Sequence, residues 1–377
     1  MNPSARTARV VLPAVAAALL LAGCAQSGGA AERSSSTAES GPPAPAPTVT
    51  GRTPAGTLIV ADFGADTVSF VDPARGRFDS VRVGTAPYGL VVGEDGRAWV
   101  ATAEGVAVVD TAARERLALV PYETETGRAT TGEYRGGGMG IALSPDGRQA
   151  YVGVNVPGGN GALEIVDTER LEVTESVPVG RRPFDVDVSR DGTEVYATNH
   201  DSFDITVVPT RSPSDTRRIE VAPYGTEGGL GSWLKPHYAA VRASDGRLLL
   251  PFEGERLAVV DPESGRVDVE RMTANTHQHG AALAPDGSLL VVGTGPIDLD
   301  EDEGPSLTVR RPDGSERVHP LEGPHEDVAV SADGRTAYVT GGFTRDGYWD
   351  GITVIDLGSG DTRRLAAGER PLGIAVL

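Results

Sequence analysis

The chain is expected to be all-β: a seven-bladed β-propeller, closed by pairing its N-terminal strands with its C-terminal strand. Three observations predict this. One unit of short apolar strands recurs from Leu58 onward, Asp-Gly turns divide it at blade-length intervals, and no stretch of it carries a sustained helical period.

The elements follow in chain order. Arg6 and Arg9 precede an apolar run from Val10 to Ala22 that is short for a spanning helix and reads as a secretory signal. The run ends Leu21-Ala22-Gly23-Cys24, which resembles a bacterial lipobox and implies a lipidated Cys24 at the mature N-terminus. Residues 1–23 are therefore expected to be a lipoprotein signal peptide. The protein should then sit on the extracytoplasmic face of the cell membrane, held by its lipid alone. Residues 24–55 carry that cysteine and a flexible linker of Ala, Ser, Gly, Pro and Thr, with Pro42, Pro43, Pro45 and Pro47 near its centre. The propeller is expected over residues 56–377.

Within that region the turns are Asp95-Gly96, Asp146-Gly147, Asp191-Gly192, Asp245-Gly246, Asp286-Gly287 and Asp333-Gly334, spaced 51, 45, 54, 41 and 47 residues apart. Asp-Gly between apolar strands is a strong hairpin signal, and the spacing suits four-stranded blades with loop insertions. Most third strands end in aspartate, as in Leu163-Glu164-Ile165-Val166-Asp167. Six turns give six blades, beginning near Pro87, Gly138, Pro183, His237, His279 and His325. Leu58–Val83 supplies three strands without an opening one, and Arg370–Leu377 supplies an opening strand with nothing after it. Together they make the seventh blade and remove the free sheet edges. Tyr338-Val339-Thr340, with the Val-Ile-Asp and Pro-x-Gly-Ile-Ala elements, resembles the YVTN family of seven-bladed propellers over roughly residues 56–377. The resemblance implies fold rather than activity.

Composition narrows function. A net charge of −19 argues against nucleic acid as a partner and favours attraction of cations. The single cysteine rules out an internal disulfide and any cysteine-based zinc motif. A monomer is expected.

In a propeller blade the start of strand one and the end of strand two share a face, opposite the Asp-Gly turns. His237, His279 and His325 each start a first strand and are expected to ring the channel mouth on three consecutive blades. His200 ends a second strand on the same face, further out, and His277 sits in the adjoining loop. Imidazole is the commonest protein metal ligand, so these residues are the candidate metal site, with Glu326 and Asp327 as further ligands. Zinc is the expected metal and copper(II) the competitor, since imidazole and carboxylate donors do not select a soft thiolate metal. The insertion Asp298–Glu303 projects on the same face and reads as a solvated acidic loop. Asp185 and Asp187 alternate on one inner strand and read as hydrogen-bonded structural carboxylates.

Lys235-Pro236-His237, His279-Gly280 and Pro324-His325-Glu326 together resemble AztD-type zinc metallochaperones. That resemblance implies a zinc carrier, not an enzyme, delivering its ion to the solute-binding protein of a metal ABC transporter. The chain departs from that family in its lipid anchor, its more regular repeats and its lack of a histidine-rich N-terminal tail. Two other classes compete: a lactonase-like metal-dependent hydrolase, and a metal-free protein-interaction propeller.

Overall fold

Residues 53, 55–132, 134–221, 235–252, 254–295, 304–342 and 347–377 are described by a computed structural model. The signal segment, Cys24, nearly all of the linker and the Asp298–Glu303 insertion fall outside them. The described residues form seven four-stranded antiparallel sheets and no helix, the architecture the repeat predicts.

Each blade is built on local chemistry. All six Asp-Gly glycines lie at positive φ, between 68° and 83°, where a side chain would be strained. The preceding aspartate holds the turn, as where Asp95 Oδ1 accepts the Arg97 amide at 3.0 Å. The third-strand aspartates cap the next turn similarly: Asp167 Oδ1 accepts the Glu169 and Arg170 amides at 2.9 and 2.8 Å. Between blades the alternate faces of β-branched strands interdigitate. Trp99, Val106 and Val108 of one blade pack on Ile141, Val152 and Val154 of the next.

The ring closes as expected. Pro371–Val376 pairs antiparallel with Leu58–Asp62, Leu58 opposite Val376 and Val60 opposite Ile374. A buried carboxylate reinforces the seam. Asp62 accepts the Gly368 amide at 3.0 Å and the hydroxyls of Thr67 and Ser69 at 2.9 and 2.5 Å.

Inner strands begin with an irregularity in register, seen between Gly138 and Ile141, Pro183 and Asp185, and Gln278 and Ala281. Aligning the blades on this register gives an opening triplet for each. In ring order these are Pro87-Tyr88-Gly89, Gly138-Met139-Gly140, Pro183-Phe184-Asp185, His237-Tyr238-Ala239, Gln278-His279-Gly280, His325-Glu326-Asp327 and Pro371-Leu372-Gly373. The third place explains the Pro-x-Gly repeat. A Cβ on Gly89, Gly140, Gly280 or Gly373 would lie 2.5–2.7 Å from the backbone of the neighbouring inner strand. Neighbouring blades also bond here, Gly89 N to Met139 O at 3.1 Å and Gly280 N to Glu326 O at 2.9 Å. In two blades aspartate takes this place and its carboxylate makes the link. Asp185 accepts the Ala239 amide at 2.8 Å and Asp327 accepts the Ile374 amide at 3.3 Å.

Candidate metal centre

Second-place side chains converge on the channel mouth. Tyr88, Met139, Phe184 and Leu372 pack there with Phe63 and Ala86, and Tyr238 lies against them. The blade-five member of that set is His279.

Four imidazoles meet beside this apolar plug, each 4–7% exposed. His200 follows the second strand Glu194–Asn199 of blade three, and His237 opens blade four. His277 follows the outer strand Val267–Thr276 and immediately precedes the inner strand Gln278–Leu283, which carries His279. Nε2 of His277 and Nε2 of His279 are 3.2 Å apart, and Nε2 of His200 and Nε2 of His237 are 3.1 Å apart. The rings of His237 and His279 stack at 4.1 Å. One nitrogen from each of His237, His277 and His279 lies within 4.8 Å of the others. Nitrogen donors on one tetrahedral zinc stand roughly 3.3 Å apart, a spacing that the His277–His279 pair already has.

Carboxylates behind the rings fix which nitrogen carries the proton. His279 Nδ1 donates to Glu326 Oε1 at 3.0 Å, and His200 Nδ1 donates to Asp201 Oδ1 at 2.8 Å. Each leaves an Nε2 lone pair facing the cluster, the carboxylate–histidine arrangement that orients metal ligands. Asp201 is itself clamped by Arg182 at 2.9 Å and Lys235 at 2.7 Å. Burial pushes the Asp201 carboxyl up, but hydrogen bonds from His200 and Lys235 and the Arg182 charge hold it well below the usual carboxylate range. His237 Nδ1 is buried with no partner.

The environment keeps two of the imidazoles neutral. Burial lowers His200 to about 3, against the pull of its Asp201 hydrogen bond and with help from Arg182 and Lys235. Burial, then the neighbouring rings of His279, His200 and His277, lowers His237 well below the ordinary histidine value. Phe184 walls the cluster, its ring 5.4 Å from His200, 5.1 Å from His237 and 5.3 Å from Tyr238.

The structure redistributes several expected ligands. His325 is not brought to the cluster. Its Nδ1 donates to Gly323 O at 2.7 Å, its Nε2 bonds the Thr353 hydroxyl at 2.8 Å, and its ring meets Trp349 edge-on. His325 shares a triplet place with His237 and Gln278, whereas His279 shares one with Glu326, so the three histidines are not equivalent. Glu326 stands behind His279 rather than among the nitrogens. Asp327 faces backbone amides, Val328 N at 2.8 Å and Ile374 N. His277, read as a loop neighbour, is one of the three imidazoles brought together. Sequence reasoning missed Phe184 and Asp201. The direct adjacency of Asp201 to His200 was a usable signal for the latter.

No protein-family model matches the chain, and no curated protein matches it. Solved structures do match in fold. A periplasmic gluconolactonase of Pseudomonas aeruginosa is 18% identical at a TM-score of 0.59, covering 85% of this chain and 99% of that one. Virginiamycin B lyase of Staphylococcus aureus, in an inactive form with quinupristin, is 14% identical at 0.54, covering 82% and 88%. A dihydro-heme d1 dehydrogenase is 18% identical at 0.57, covering 88% and 77%. At these identities the likeness is one of fold. All three are enzymes, and this overturns the expectation of a chain that is not one.

Proposed function

We propose that the protein binds one divalent transition metal on Nε2 of His237, His277 and His279 and uses it to open an ester or lactone. The observation that carries this reading is the convergence of three buried imidazoles, one of them backed by a buried carboxylate. The residues fit zinc: Nε2 of His277 and Nε2 of His279 are 3.2 Å apart, close to a tetrahedral edge, one nitrogen of His237 lies within 4.8 Å of theirs, and His279 keeps a hydrogen-bonded Nδ1. Copper(II) would bind at least as tightly where supplied. Three protein ligands also leave a fourth position, the pattern of catalytic zinc sites.

A bound zinc supplies Lewis acidity toward a carbonyl. The chain's own groups supply the rest. His200, oriented by Asp201, presents an Nε2 lone pair 3.1 Å from His237 and is placed to hold or pass a proton beside the substrate. Phe184 and Tyr238 exclude water from one side of the site. The lactone class is suggested by the gluconolactonase neighbour. Zinc-stripped and zinc-reloaded protein should be assayed on a lactone panel headed by gluconolactone. Turnover is expected to vanish on chelation and return with zinc. Zinc-independent rates at the uncatalysed level throughout the panel refute the catalytic reading.

A second reading is supported by His200. As a fourth imidazole ligand it would complete a set of nitrogens with no position left for substrate, which suits carriage of zinc to a transporter's solute-binding protein. Zinc transfer to such an acceptor, without lactone turnover, would favour it.

The layout expected from the sequence, signal peptide 1–23, lipid-bearing linker 24–55 and ring 56–377, goes with either reading, and on it the site would lie outside the cytoplasm. Intact-mass spectrometry of natively expressed protein is expected to show an acylated Cys24 as the first residue. An unmodified chain beginning elsewhere refutes that placement.

A further inference from the structure

A second opening lies on the histidine face, beside blade two. The loop between the outer strand Glu115–Pro121 of blade one and the inner strand Gly137–Leu143 of blade two leaves the ring on this face. So does Pro157, which follows the second strand Gln149–Asn155 of blade two. Together they border a cleft of about 600 Å³ whose lining includes Arg128, Thr130, Tyr134, Arg135 and Pro157. That volume is the size of a small organic molecule rather than of a bare ion.

The cleft is cationic in a chain of net charge −19. Arg135 is 2% exposed, and among the described residues no carboxylate lies within ion-pair distance of it or of the exposed Arg128. Arg135 Nη2 donates to the carbonyls of Ala86 and Gly138 at 2.7 and 2.8 Å, and Nη1 donates to Gly136 O at 3.0 Å. These bonds fix the guanidinium without neutralising it, and its Nε is buried with no acceptor. Burial lowers Arg135 to about 10, so the group stays charged at neutral pH. Tyr134, exposed in the same lining, extends the pattern: Arg182 Cζ lies 3.8 Å from its ring centroid. Arg182 and Lys235 share a single carboxylate, Asp201. Arg128, Arg135, Arg182 and Lys235 are thus set against Asp201 and Glu125, the latter the one carboxylate among the described lining residues.

We infer that this cleft is an anion subsite and that it takes the carboxylate of a small organic acid. A buried guanidinium with no counter-charge is costly, and an incoming carboxylate offsets that cost. The planar donors of arginine match a carboxylate, and Glu125 in the lining disfavours a dianion such as phosphate. The subsite adjoins the imidazoles. Arg182 Nη1 is 3.4 Å from His200 Nδ1, so one side chain separates Tyr134 from His200. On the catalytic reading, and resting on it, the substrate is a lactone that bears a free carboxylate. The subsite itself uses none of the three imidazole ligands.

The experiment is calorimetric titration of metal-stripped full-length protein with gluconate, and with gluconamide as its uncharged counterpart. Saturable 1:1 binding of gluconate is expected, with a dissociation constant on the order of 1 mM or tighter. Gluconamide should bind at least about tenfold more weakly, since it lacks the charge that arginine reads. Arg128→Gln alters an exposed side chain and should fold, and Arg135→Gln is checked for folding by circular dichroism. Gluconate affinity should fall in each folded variant and persist in His237→Ala, so this subsite and the zinc site fail separately. On zinc-loaded protein, kcat/KM for glucaric acid monolactone should exceed that for gluconolactone at least about tenfold. The reverse preference, with gluconate binding intact, overturns the acidic substrate. Absence of all turnover counts against the catalytic reading and leaves gluconate binding to decide the subsite. No saturable gluconate binding, equal affinity for gluconamide, tighter binding of inorganic phosphate, or undiminished affinity in Arg128→Gln overturns the inference.

Discussion

Alanine at His237, His277 or His279 is expected to abolish tight zinc binding, lowering affinity by at least about a hundredfold. Removing an oriented partner behind a ligand already costs about 10- to 100-fold, and deleting a ligand costs more. Glu326→Gln should fall within that smaller range, because glutamine can still accept from His279 Nδ1 but without the charge. His325→Ala should leave zinc affinity unchanged, since both of its ring nitrogens are committed to Gly323 and Thr353. Calorimetric titration of metal-stripped variants reads all of these. Full affinity in the three alanine variants, or loss in His325→Ala alone, would reject the assigned centre.

The pH dependence follows from burial. His200 and His237 have folded-state pKa values below the unfolded value of about 6.5, so between the two limits the unfolded chain binds more protons. Their contribution to stability is therefore fully present above pH ~6.5 and is lost as pH falls toward the folded value, about 3 for His200. Zinc binding needs neutral rings and should survive below the pH at which an exposed histidine would release it.

Deleting residues 370–377 is expected to have the largest effect on stability. Pro371–Val376 is the innermost strand of the closing blade, and without it Leu58–Asp62 loses its inner partner. Leu58, Ile59 and Val60 are completely buried, as is Leu372. Exposing such side chains costs about 1.5–3 kcal/mol each, against a total stability on the order of 5–15 kcal/mol for a domain. The truncated chain should show no cooperative melt by circular dichroism where the full chain shows one. A truncation that melts at the full-length temperature would mean that the ring does not depend on this seam.

The blade count and the closure were legible because both rest on local chemistry. Asp-Gly needs positive φ at Gly147 or Gly192 wherever it stands, and an apolar strand needs a partner wherever the chain ends. The metal site was legible only in part. Sequence spacing offers His277 and His279 equally for one place, and what decides between them is that Gly280 must press against the Asp327 backbone. That contact lies 47 residues along the chain, and no period reports it. His325 was misplaced for the same reason: its motif looks like that of His237, but Thr353 in its own blade takes its Nε2. Asp187 was read as a bonded structural carboxylate, whereas its Oδ2 is buried without a bond.

The opening triplet divides labour among its positions. Where glycine holds the third, its neighbour's backbone leaves no room for a Cβ, so there it fixes how tightly the blades draw together and resists alteration. The second bears no such duty, and tyrosine, methionine, phenylalanine, histidine, glutamate and leucine all occupy it around one ring. A fold arranged this way keeps its frame and its chemistry on separate registers. New reactivity can be written at Met139 or Leu372 without disturbing the glycines that hold the circle shut.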